Sequence, residues 1–143
     1  MAGCWLTQQN RTMAKTLALL FGVIFLVVGA LGFVPAATHD VDGMPMLLGI
    51  FHVNFVHNVV HLASGAVFLL CGMAGAGASR MFFKIFGIIY AIVAVLGFMP
   101  SNATSIMGLM SNNPAVTYLH VALAILMLAI GFAPSGSSST RTT

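Results

Sequence analysis

Polar and apolar positions in this chain fall into long blocks. Leu17 to Val34 is apolar throughout, and Pro35 to Pro45 is a turn-rich loop holding both acids of the chain, His39 and Gly43. Met46 to Gly72 is a second apolar stretch, interrupted by a polar cluster in its first half. A Gly/Ala-rich connection follows from Met73 to Ser79, then an apolar run from Phe82 to Met99. Pro100 to Asn113 is polar, and the pattern predicts a short helix at Thr104–Met110 within it. Pro114 to Phe132 is the last apolar run, opened by a proline at a first helical turn, where its missing N–H costs nothing. From Pro134 the chain is Ser/Thr-rich and reads as a disordered tail. Runs of about 18 apolar residues or more are long enough to cross a bilayer as helices. The first run resembles a signal peptide, but it exceeds the 7–15 apolar residues of a typical signal core. It also has a counterpart later in the chain. The prediction is an all-α integral membrane protein, a four-transmembrane-helix bundle. An N-terminal segment covers 1–15, the membrane domain 16–132 and the tail 133–143. Met13 is an alternative start to Met1.

The blocks repeat. A shift of 65 lays Leu20–Pro35 over Ile85–Pro100 with eight of sixteen positions identical, ending in a shared Gly-Phe-x-Pro. The offset then becomes 59, and Gly49, Asn54, His61, Ala63, Leu69 and Gly72 match Gly108, Asn113, His120, Ala122, Leu128 and Gly131. Two tandem two-helix repeats, 16–72 and 81–132, are therefore expected. Each crosses the membrane twice, so both have the same orientation and the pseudo-two-fold axis lies along the membrane normal. That places His61 and His120 at similar depth in the outer leaflet.

Composition agrees. Only 5% of residues are charged and 59% are hydrophobic, against about 25% and 45–50% in soluble domains. The net charge of +3 comes from scattered Lys and Arg, so no nucleic-acid partner is expected. Arg11, Lys15, Arg80, Lys84 and Arg141 fall on one side of a four-span topology, and Asp40 and Asp42 on the other. The positive-inside rule then puts both termini in the cytoplasm. Cys4 and Cys71 stand alone, without a C-x-x-C motif, and Cys71 reads as a small buried or lipid-facing residue.

Three segments add a resemblance. Gly32-Phe33-Val34-Pro35, Leu48-Gly49-Ile50-Phe51-His52-Val53-Asn54 and His57-Asn58-Val59-Val60-His61-Leu62, with Tyr118-Leu119-His120 further on, resemble a family of small four-span bacterial membrane proteins known as a domain of unknown function. The likeness covers roughly residues 15–132. It implies the four-span fold and a bacterial cytoplasmic membrane, and it carries no activity. A thylakoid or other photosynthetic membrane is the alternative location.

The candidate chemistry is a polar stripe. On a helix, Asn54, His57, Asn58, His61 and Ser64 share a face, with His57 and His61 at i, i+4. His52 points away from it. His120, Ala124, Met127 and Gly131 form the matching face of span four, and glycines and alanines on spans one and three allow close helix approach. The leading reading is interhelical packing: neutral His57, His61 and His120 bond Asn54, Asn58, Ser64 or carbonyls, in a structural or accessory subunit of a membrane complex. Its partners are then the lipid bilayer and other membrane subunits or a second copy. The alternative is a cofactor site, with a haem held by His61 and His120 or a chlorophyll-type pigment on a single imidazole such as His52. A third reading is a metal site or small transporter using His57, His61 and His120, with His39, Asp40 and Asp42 as a capture point. No catalytic constellation stands out, since the apolar runs contain no Asp or Glu, and the expectation is that the protein is not an enzyme.

Overall fold

The computed structural model describes residues 2–134, with side chains from Gln8 onward. Four helices carry the chain: α1 (Ala2–Leu31), α2 (Phe55–Ala74), α3 (Ala76–Gly97) and α4 (Pro114–Phe132). All four are long and apolar enough to cross a membrane, α1 from Gln8 onward. The expectation of an all-α chain is corrected by five short strands, so the fold is mostly helical.

The helices begin and break where local chemistry dictates. Asn54 and Asn113 adopt extended backbone and cap α2 and α4, accepting the N–H of His57 at 2.8 Å and of Val116 at 2.9 Å. Each satisfies one of the N–H groups a helix start leaves unpaired. Gly75 alone separates α2 from α3, at φ +126, a backbone that favours glycine. The expected loop at Met73–Ser79 is therefore a sharp corner between two helices. Ser79 reinforces it by donating its hydroxyl to the carbonyls of Cys71 and Gly75.

The four helices share one core. Ala18, Phe21 and Phe25 of α1, Phe68 of α2, Phe83 and Tyr90 of α3, and Ala124 and Met127 of α4 are buried together. The aromatic rings meet edge to face, Phe21 on Phe83 at 5.4 Å and Phe68 on Phe82 at 4.7 Å, an arrangement that matches ring edges to ring faces. Small residues set the helix spacing. A Cβ on Gly22 would come within 2.7 Å of Leu69, and one on Gly87 within 2.7 Å of Leu128. Gly72 meets Leu19 and Gly131 meets Lys84, while Gly32 lies against the Asn58 amide and Gly97 against Thr117.

One end of the helices is capped by strands. β1 (Thr38–Val41) and β2 (Met44–Leu47) form a hairpin around Asp42-Gly43, and β3 (Phe51–His52) pairs with β2 in antiparallel register, Leu47 opposite Phe51. β4 (Ser105–Ile106) and β5 (Met110–Ser111) form a second hairpin, where the sequence pattern predicts a helix over Thr104–Met110. The second span accordingly starts at Phe55 and not near Met46, and His52 belongs to a strand. Strands of two to four residues are too short to display an alternating pattern.

Both short hairpins turn through a left-handed pair, Leu48-Gly49 at φ 53 and 70 and Met107-Gly108 at φ 53 and 72. Asn-Gly is the preferred dipeptide for such a turn, and Met107 is 72% exposed. Met107→Asn is expected to stabilise the protein by about 0.5–1 kcal/mol. A lower thermal midpoint in detergent would instead mean that the methionine side chain packs at this turn.

Candidate functional site

Beneath the strand cap lie the histidines. The first two turns of α2 carry His57, Asn58 and His61, and α4 brings in His120. His57, Asn58, Ser64 and His120 are buried, and His61 is half-buried. On α4, His120, Ala124, Met127 and Gly131 are buried along one face. Asn54 sits at the edge of the stripe as a helix cap. Its amide Nδ2 donates to the Leu109 carbonyl at 2.8 Å, and that of Asn113 donates to the Ile50 carbonyl at 2.8 Å. Each cap thereby holds the hairpin turn of the other half of the chain.

His57 is the ring common to the close imidazole contacts. Its Nε2 lies 3.0 Å from Nε2 of His61, with the rings stacked at 4.8 Å, and its centroid is 6.3 Å from that of His120. Phe25 stacks on the other face of His61 at 4.9 Å, and Tyr90 meets His120 edge-on at 5.1 Å. A hydrogen bond between two neutral imidazoles needs one Nε2–H donor and one bare Nε2 acceptor. One ring of the pair then has a bare Nδ1 and the other an Nδ1–H. The Nδ1 atoms of His57, His61 and His120 are all buried without a partner. Each unpaired buried polar atom costs about 1–3 kcal/mol. None of these imidazoles bonds the side chain of Asn54, Asn58 or Ser64, and the bond between His57 and His61 joins two of them to each other.

The three histidines line a cavity of about 130 Å³ together with Val28, Leu47, Phe51, Val53, Val116 and Leu123. That is close to the roughly 150 Å³ of an engineered apolar cavity that accepts benzene. Among the described residues, no set of three or more His, Cys, Asp or Glu side chains is arranged to hold a metal ion. His52 stands apart from the cavity lining, its Nδ1 3.0 Å from the Asn112 carbonyl oxygen.

A second polar cluster escaped the sequence pattern. Asn112 is 1% exposed. Its Nδ2 donates to the carbonyls of Asn102 at 2.9 Å and Gly97 at 3.3 Å, while its Oδ1 accepts from the Thr117 hydroxyl at 3.0 Å. Asn102 in turn donates to Leu96 O and accepts from Met107 N. This knot fastens the β4–β5 hairpin to the end of α3 and the start of α4. The only hint of it in the sequence is Asn112-Asn113-Pro114, where the second asparagine is the obvious cap.

No curated protein and no solved structure matches the chain. A family model does match, over residues 15–133, and its description is Domain of unknown function (DUF4383). The match takes in most of the first span, the other three spans, the histidines and both polar clusters, and the chain belongs to that family.

Proposed function

We propose that this protein is a non-enzymatic structural or accessory subunit of a membrane complex, built as two tandem two-helix repeats in a bacterial cytoplasmic membrane with both termini in the cytoplasm. The observation that carries the reading is the reciprocal pair of asparagines. Asn54 caps its own helix and holds Leu109, and Asn113 does the same with Ile50. Asn102, Asn112 and Thr117 likewise bond the main chain or each other, and no carboxylate stands among the buried polar side chains described to act as acid or base. The repeat reading has further support in matched packing: Gly22 on Leu69 beside Gly87 on Leu128, and Gly32 on Asn58 beside Gly97 on Thr117. Outward-facing Val23, Val27, Ile88 and Ile92 are about half exposed, which suits contact with lipid or with neighbouring helices. Orientation rests on the basic residues of α1 and α3 lying at the end away from Asp40 and Asp42.

The test is crosslinking in native membranes, then purification in mild detergent and mass spectrometry. A membrane partner in stoichiometric amount, or a defined homo-oligomer, is expected. Recovery of the uncrosslinked monomer alone would overturn the reading.

A second reading has its own observation, the three unpartnered Nδ1 atoms around the cavity. A bound molecule there would explain polar atoms that packing leaves unpaired. An absorption spectrum of the protein from its native host, oxidised and reduced, separates the two. The subunit reading expects no visible bands. A Soret band would make His61 and His120 the first ligands to replace by glutamine, and red bands of a chlorophyll-type pigment would direct attention to His52.

A further inference from the structure

At the end of the helices opposite the strand cap, α1 and the α2–α3 corner enclose a groove of about 650 Å³. Arg11 and Lys15 line it from α1, one turn apart on one face, with Thr12 and Thr16 beside them, and Gly75 and Ala76 close the far wall. We propose that this groove binds the phosphate group of an anionic phospholipid headgroup. The inference depends on the four-span reading but not on the subunit role.

Three observations carry it. The lining is cationic and hydroxyl-bearing, with no acid in it. The chain's two acids, Asp40 and Asp42, lie in the strand cap at the other end. The far wall is the corner where α2 ends and α3 begins; the opposed partial charges of the two helix ends offset there, so the positive charge of the groove is that of Arg11 and Lys15. Depth also fits. The apolar part of α1, Gln8–Leu31, has 24 residues and rises about 36 Å, roughly 6 Å more than a hydrocarbon core. Its first turn thus stands in the headgroup layer. Lys15 reaches that layer by extending its ammonium outward while its stem stays in apolar surroundings.

The size of the groove argues for a headgroup over a small ion. A phosphate held between Arg11 and Lys15 leaves room for a glycerol substituent against Thr12 and Thr16. The groove floor is Leu19, a surface for the first carbons of an acyl chain. Arginine suits a phosphate with two parallel N–H donors, and lysine adds a second positive charge.

Native mass spectrometry of the full chain, released from detergent with added phosphatidylglycerol or phosphatidylcholine, tests this. The wild type is expected to retain phosphatidylglycerol in preference, and Arg11→Gln/Lys15→Gln to lower that retention about tenfold. A charge-relocated variant separates a site from general attraction. It carries the same two changes plus Gln9→Lys and Met13→Lys, which restores the charge about 200° around α1 at the same depth. Its retention should stay low. Retention equal to wild type in the relocated variant would overturn the proposal, as would no preference for the anionic lipid. Added inorganic phosphate distinguishes the source. Little displacement is expected if the lipid is the ligand, whereas binding of phosphate without phosphatidylglycerol would reassign the groove to a soluble anion. The altered residues are exposed, and an unchanged thermal midpoint for both variants verifies that the fold is intact.

Discussion

Gly65→Ala is expected to destabilise the protein by about 2 kcal/mol, although alanine is the better helix former by about 1 kcal/mol. A methyl group at this position would come within 2.8 Å of the Leu26 backbone nitrogen and 2.9 Å of the Gly22 carbonyl oxygen. Both are main-chain atoms of α1, so no side-chain rotation relieves the contact. The two helices must separate, and every contact along their seam weakens as they do. Overpacking of this kind commonly costs 1–3 kcal/mol, which outweighs the gain in helix propensity. Gly77→Ala is the control. A Cβ there meets nothing within 4 Å, so the propensity gain stands alone and stability should rise by up to about 1 kcal/mol. Unfolding in mixed micelles of mild detergent and dodecyl sulfate, followed by circular dichroism, reads both. If Gly65→Ala proved as stable as Gly77→Ala, α1 and α2 would not be in close contact at this level. The consequence reaches the candidate site, because His61 lies one turn away and shares the seam: its Cβ would lie 3.0 Å from a Cβ on Gly29.

The spans were legible in the sequence because their signal is one of length and polarity, and both survive any choice of packing. The inner faces were legible wherever a small or polar residue marked them. Gly22, Gly29, Gly87, His57, Asn58, Ser64 and His120 all lie inside. The aromatic core was not. In lipid the outward face of a helix is as apolar as its inward face, so nothing in the apolar run separates buried Phe83 and Tyr90 from exposed Ile85 and Ile88. The strand cap was also hidden. Its hairpins are held by main-chain turns and by Asn102 and Asn112, whose partners are carbonyls that any sequence supplies. The histidine geometry shows a different limit. Periodicity placed His57 and His61 on one face, but it could not foresee that they would bond each other and leave their Nδ1 atoms unpaired. Both rings stand on α2 one turn apart, so which atoms meet is a matter of side-chain rotamer, and that is set by the rings packed around them, Phe25 on His61 and His120 on His57.

The cap itself makes the sharpest test of the two-repeat reading. Asn54→Ala and Asn113→Ala should each cost about 2 kcal/mol, one part from the lost helix cap and one from the carbonyl left unpaired on the opposite half. Aspartate separates the two parts. Asn54→Asp keeps an acceptor for the His57 N–H and places a negative charge favourably at a helix start, but it loses the donor to Leu109 and sets a carboxylate against that carbonyl. It should therefore remain destabilising, and Asn113→Asp should match it against Ile50. A merely local role for these residues would leave both aspartate variants near wild type. The double alanine variant then asks whether the two hooks hold one seam. With the first hook released, the hairpins part and the second has less to hold, so the combined loss should fall short of the sum by at least about 0.5 kcal/mol. Thermal and dodecyl-sulfate unfolding of the singles and the double provide the cycle. Equal losses at Asn54 and Asn113 with that shortfall are what two interlocked repeats require. A large loss at one position and none at the other would mean that the matched residues no longer share a task, and that the halves are joined by the helix core alone.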